Sequence, residues 1–240
     1  MKKIISLLVL AIFVFSACNI SFDKKVKGNG HVITEARTVT SAHKIKLQGS
    51  YDVELVPGSA TALKIEGDDN ILPYIITKEV DGWLIVKTKD KINISTNTKL
   101  KIYITTDMVE AISLSGAGNI KSTGKFIGGD KLDLNISGIG SADLEVNTPS
   151  VNANISGSGS IILAGETKDS KITISGIGSY KGENLKAENV EVVVSGSGSA
   201  NVFADSKLDV SVSGIGNVNY KGNATVSQKV SGSGSVKKIE

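Results

Sequence analysis

Four carboxylates, Asp133, Asp143, Asp169 and Asp209, fall within one glycine-rich region, and grouped together they would suit acid–base chemistry or calcium binding. Their spacing argues against either. Asp133 and Asp209 stand four repeat units apart, about 19 Å if each unit advances ~4.8 Å, and Asp143 aligns with Asn201 of a later unit. The glycine turns hold no aspartate, which calcium-binding nonapeptide repeats require. His31 and His43 precede the repeats and match no metal-ligand spacing. Serines abound, yet Gly157-Ser158-Gly159-Ser160 is only a broken form of the nucleophile elbow and lacks its strand-to-helix setting. No cofactor, metal site or catalytic residue is implied, and the residues predict a non-enzymatic protein. The alternative, a polysaccharide-active β-helix enzyme, would have to work with scattered acids.

The elements that carry these residues repeat. Ser-Gly-X-Gly begins at Ser115, Ser137, Ser156, Ser175, Ser195, Ser213 and Ser231, at intervals of 22, 19, 19, 20, 18 and 18 residues. A unit this short cannot enclose its own core and must stack on its neighbours. Each unit contains an alternating strand that ends in the glycine signature, such as Leu132-Asp133-Leu134-Asn135-Ile136-Ser137, and then a second apolar stretch such as Leu144 to Val146. Period two with β-branched residues marks strands buried on one face. The chain therefore predicts an all-β, parallel β-helix-like solenoid with Ser-Gly-X-Gly corners. Parity counted from Val212 places both Gly214 and Gly216 inward if the strand continues straight. The X position alternates as Ala117, Ile139, Ser158, Ile177, Ser197, Ile215 and Ser233. A coil of about 19 residues and one of about 38 both fit that rhythm; short apolar segments favour the former. Packed inside, the isoleucines relieve crowding; exposed, Ile139, Ile177 and Ile215 form a ridge fit for a partner.

Upstream, Lys44–Leu47, Tyr51–Leu55, Ala62–Glu66 and Trp83–Lys87 alternate as strands. Asp81-Gly82 predicts a hairpin from Ile75-Ile76 into Leu84-Ile85, and Asn70–Tyr74 could hold one helical turn. The expected organisation is a signal peptide over 1–17, a tether over 18–30, and one solenoid domain over 31–240. Within that domain, 31–114 supply N-terminal strands that cap or extend one end, and 115–240 supply the repeats.

The basic start Met1-Lys2-Lys3 and the apolar run Ile4–Phe15 are too short to span a bilayer and read as an export signal. They lead into Phe15-Ser16-Ala17-Cys18, which resembles the lipobox of bacterial lipoproteins and makes Cys18 the expected lipidation site. Asn19 after the cysteine resembles outer-membrane sorting. Cys18 is the only cysteine, so no intramolecular disulfide forms. The net charge of +3 includes Lys2 and Lys3, so the body after residue 17 is close to neutral. Arg37 is the only arginine and no basic stripe exists, which excludes nucleic-acid recognition.

The glycine signatures, with Gly49-Ser50-Tyr51-Asp52-Val53 and Asp81-Gly82-Trp83-Leu84-Ile85-Val86, resemble the auto-transporter adhesin, head GIN domain family of Bacteroidetes-type bacteria. The likeness spans about residues 38–235 and implies a right-handed β-helix-like fold in the cell envelope, with no catalytic residue to carry over. Seven glycine units leave no room for a membrane barrel, so self-export is not expected. The reading is a lipid-anchored outer-membrane protein with a repeat-built binding surface for adhesion or glycan. A structural or assembly partner of another envelope protein is the alternative.

Overall fold

Backbone ladders set the architecture. The computed structural model describes residues 24–240; the expected signal segment and Cys18 lie outside the described residues. The first strands are β1 (Lys24–Lys27), β2 (Val32–Arg37), β3 (Lys44–Gln48), β4 (Asp52–Pro57) and β5 (Ala62–Asp68). After a 3-10 turn at Leu72–Tyr74 come β6 (Ile75–Val80), β7 (Trp83–Thr88), β8 (Ile92–Ser95) and β9 (Lys101–Thr106). The repeats follow as β10 (Ala111–Gly116), β11 (Asn119–Ile127), β12 (Leu132–Gly138), β13 (Ser141–Asn147) and β14 (Ser150–Gly157). The last are β15 (Ser160–Gly176), β16 (Ser179–Gly196), β17 (Ser199–Gly214), β18 (Asn217–Lys221), β19 (Thr225–Gly232) and β20 (Ser235–Lys238).

Successive repeats pair in parallel and in register. Ser115 lies beside Ser137, which lies beside Ser156, and the column continues through Ser175, Ser195, Ser213 and Ser231. Each circuit therefore takes 18 to 22 residues, so the shorter coil is the one formed. Inward side chains align in the same way. Leu114, Ile136, Ile155, Ile174, Val194 and Val212 form one buried column, continued at its start by Leu47 of β3. At about 1.5–3 kcal/mol for each fully buried aliphatic side chain, such columns are the main stabilising term of the described residues, which form no α-helix.

The two glycines of a corner do different work. Gly176 closes β15 at φ +122°, and a Cβ there would stand 2.6 Å from the carbonyl oxygen of Gly157 on the coil below. Gly178 is buried, and a Cβ would stand 2.9 Å from the Gly159 oxygen and closer still to the Ile155 side chain. Only the second glycine faces inward, then. The chain bends at the first, so the straight-strand parity that put Gly214 beside Gly216 on the inner face does not hold.

At the N-terminal end, β3 pairs with β10 and β7, and β4 pairs with β11 and β9, all parallel. Antiparallel strands then cover these layers: β6 lies on β7, β5 on β9, and β2 on β5. The β6–β7 hairpin turns through Asp81 and Gly82, both at positive φ (50° and 77°), as a two-residue hairpin turn of this sequence should. Residues 24–30 are not a free tether. β1 pairs in parallel with β8, Gly28 N–H donates to the Ser95 carbonyl at 3.0 Å, and Asn29 bonds Asp69 and Asn70. Val26, packed against the core edge, and the unpaired ladder of β8 give that segment a reason to dock.

Candidate functional site

The outward side chains of the strands before each corner form a polar face. Parallel register stacks Ala111, Asp133, Asn152, Lys171, Glu191 and Asp209 in one column. Two residues on, Ser113, Asn135, Asn154 and Thr173 form a second. Neighbours in these columns bond to one another. Asn152 Nδ2 donates to Asp133 Oδ1 at 2.8 Å, Asn154 Nδ2 to Asn135 Oδ1 at 3.0 Å, and Lys171 Nζ to both Glu191 oxygens at 2.9 and 3.0 Å. Lys131 and Lys207 reach Asp133 and Asp209 at 2.7 and 2.6 Å.

Two shallow grooves run along this face. One, of about 330 Å³, is lined by Trp83, Asp133, Asn135, Asn152, Asn154 and Lys171. The other, of about 240 Å³, is lined by Asp169, Asn189, Lys171, Glu191, Lys207 and Asp209. Trp83 stands at the β7 end of the first column, in register with Lys44 and, through it, Ala111. A half-buried indole beside amides and carboxylates offers an apolar plate with hydrogen-bond donors and acceptors around it.

The Asp133 carboxylate is held ionised. Burial works to raise the Asp133 carboxyl, but hydrogen bonds from Lys131 and Asn152 outweigh it and keep it below the usual carboxylate range. On the next face, Asn119 and then Lys99 lower Asp52. A general acid needs the opposite shift. Asp133 and Asp209 are separated by Asn152, Lys171 and Glu191 in their column, and Asp143 leads through Ile162 and Lys181 to Asn201. His31 meets Asp69 at 3.0 Å and His43 meets Asp107 at 2.8 Å, each a single surface pair. Among the described residues no group of three His, Cys, Asp or Glu side chains is placed to hold a metal.

A wider groove of about 540 Å³ lies where the cap meets the first coil, lined by Tyr51, Asp52, Thr96, Thr98, Lys99 and Asn119. Its floor is tied down. The Tyr51 hydroxyl donates to the Gln48 carbonyl at 3.2 Å and stands 3.1 Å from Thr88 Oγ1, while Thr96 and Thr98 both donate to the buried Asp68.

Ile139, Ile177 and Ile215 are 70%, 69% and 59% exposed, so of the two placements left open by the sequence they take the outer one. Each sits at a bend between the two glycines, where backbone N–H groups still bond the coil below: Ile177 to Gly157 and Ile215 to Gly196, both at 2.9 Å. Ser158 and Ser197 occupy the coils between them, also exposed. The three isoleucines thus line one edge, about 10 Å apart at two strand spacings. The polar columns were not anticipated from the acids alone. Stacking outward residues of successive units would have shown the recurring amides.

A family model described as "Putative auto-transporter adhesin, head GIN domain" matches residues 43–224, and the chain belongs to that family. Among solved structures, a "putative adhesin" from Bacteroides fragilis is similar at 25% identity, with 89% of this chain and 100% of that one covered and a TM-score of 0.84. A "putative adhesin" from Parabacteroides merdae shares 28% identity over 90% of this chain and 100% of that one, at a TM-score of 0.73. A "putative lipid binding protein" from Parabacteroides distasonis, 22% identical over 90% and 100% of the two chains with a TM-score of 0.76, bears on the fold alone. A comparison with curated proteins finds no match. The molecule is a repeat-built β-solenoid that resembles adhesins.

Proposed function

We propose that this member of the head GIN domain family is an envelope lipoprotein that binds an extended, hydroxyl-rich ligand, a surface glycan, along its polar face. In this reading residues 1–17 are removed, Cys18 carries the lipid anchor at the outer membrane, and the body begins within the former tether. The observation that carries the proposal is the pair of stacked outward columns, Asp133–Asn152–Lys171–Glu191–Asp209 and Asn135–Asn154, with Trp83 at their end. Amide, carboxylate and ammonium groups stacked on successive coils can hydrogen-bond a polymer with regularly spaced hydroxyls, and the indole can stack on a sugar ring. The adhesin names of the relatives at 25% and 28% identity support a binding role. Two finer points of architecture belong to the same proposal: the solenoid winds right-handed, the sense general to parallel crossovers, and Ser-Gly-X-Gly is what forces its corners. The test is a glycan array, with matrix proteins and partner cells, probed by the chain and by Trp83→Ala. Specific binding lost in the variant supports the reading; no binding to any of these surfaces overturns it.

A second reading has its own observation. The exposed Ile139–Ile177–Ile215 edge suits docking against another envelope protein, and cross-linking in intact cells through a photoreactive residue at position 177 checks it. Capture of one defined neighbour, lost on Ile139→Ser/Ile215→Ser, supports it; capture of none ends it.

A further inference from the structure

The parallel ladders stop at the last coil. β19 pairs with β17 and β20 with β18, and among the described residues no strand meets their other edges. Such an edge presents a row of unpaired N–H and C=O groups. The opposite end differs, because the antiparallel strands β2, β5 and β6 cover it. Side chains of the last coil are correspondingly bare. Leu208 and Val212 are buried, whereas Val226 and Val230, next in the same columns, are half-buried and 39% exposed. Between them Gln228 takes the inward place held by Val210 one coil below.

Charge changes at the same point. On the earlier coils acids outnumber lysines, and Lys131, Lys171 and Lys207 pair with Asp133, Glu191 and Asp209. From Ser211 onward the chain carries Lys221, Lys229, Lys237 and Lys238 against Glu240 alone, and among the described residues none of these lysines forms an ion pair.

From the open edge, the half-covered valines and the unmatched lysines together, we infer that this end accepts an extended acidic peptide strand from another protein, which continues the solenoid by one rung. Strand addition uses the free backbone groups for affinity and alternate side chains for selection. The register below sets what the guest must carry: apolar residues over Val226 and Val230, an amide over Gln228, and a carboxylate over Lys229. A second copy of the chain fits poorly, since an end-to-end contact would set lysines against lysines, and like charges placed opposite destabilise a ladder. The site lies at the end of the solenoid and is independent of the polar face.

The experiment uses the whole chain and a capped octapeptide with the β19 sequence in which glutamate replaces lysine (Thr-Val-Ser-Gln-Glu-Val-Ser-Gly). Binding is followed by calorimetry and by hydrogen exchange of residues 225–232. The expected result is saturable binding that slows exchange there. It should disappear for the same peptide N-methylated throughout, and weaken about fivefold in Lys229→Glu, as expected when an exposed pair is reversed. The unaltered lysine peptide should bind Lys229→Glu better than it binds the natural chain. Lys238→Glu, on the neighbouring β20, gives a second charge reversal should the first variant fold poorly. No binding, equal binding of the N-methylated peptide, or tighter binding of the lysine peptide to the natural chain together with concentration-dependent self-association would each overturn the inference.

Discussion

Replacing Gly176 by alanine should damage the solenoid far more than any change at the neighbouring Ile177. The residue sits at φ +122°, where a side chain costs about 1–3 kcal/mol of backbone strain. The added Cβ would also stand 2.6 Å from the Gly157 carbonyl oxygen, and that contact is with backbone rather than a side chain that can rotate away. Relieving it means prising two coils apart, at a cost comparable to overpacking a core, about 1–3 kcal/mol. The sum, about 4 kcal/mol, is a large fraction of the 5–15 kcal/mol that holds a typical domain together. Ile177→Ala, at a side chain 69% exposed, should stay within about 0.5 kcal/mol. Urea denaturation of the three proteins measures both values. Because coils interact mainly with their nearest neighbours, hydrogen exchange should localise the loosening to the coils ending at Gly157, Gly176 and Gly196. A loss below about 1 kcal/mol for Gly176→Ala, matching Ile177→Ala, would refute the claim that stacked first glycines constrain the corner.

Further outcomes follow from the same geometry. Leu134→Ala, at a buried site between Ile112 and Ala153, should cost about 2–5 kcal/mol in urea midpoint experiments. The Asp133 carboxyl is lowered in the folded state, so its contribution is present above the ordinary carboxylate range and is lost as pH falls through the lowered value. Melting temperature should accordingly drop more steeply with acid in the natural chain than in Asp133→Asn. Gln228→Val would extend a bare apolar column at the open end, and sedimentation should then show concentration-dependent association.

Much of the scaffold was legible because a period forces register. Once Ser-Gly-X-Gly recurs every 18 to 22 residues, stacking serine on serine is the arrangement that also stacks Ile136 on Ile155 and Ile155 on Ile174. Asp81-Gly82 was equally plain, since both positions adopt positive φ. What escaped the sequence depends on bends and distant partners. Alternation carries a side-chain direction along a straight strand, but the turn at Gly176 resets it, so nothing local could place Ile177 outside. Lys24–Lys27 reads as a solvated linker until β8, some seventy residues later, supplies its ladder. The capping of β9 by β5 and β2 is likewise a non-local pairing with no short-range signal.

Separation of surfaces decides how the remaining question is answered. The inward columns and backbone ladders hold the coils together, so outward positions can change without unfolding the body. Asp133, Lys171 and Asp209 on the polar face each precede a ridge isoleucine, Ile139, Ile177 or Ile215, by six residues on the same coil. That is a path of about 20 Å along the strand, far enough for substitutions on the two surfaces to act additively. A chain with Ile139, Ile177 and Ile215 all changed to serine should therefore keep the proposed glycan binding and its urea midpoint while losing any protein neighbour. Trp83→Ala should do the reverse. If either variant abolished both activities, the polar face and the isoleucine edge would have to be parts of one footprint, and a single partner would have to wrap the corner between them.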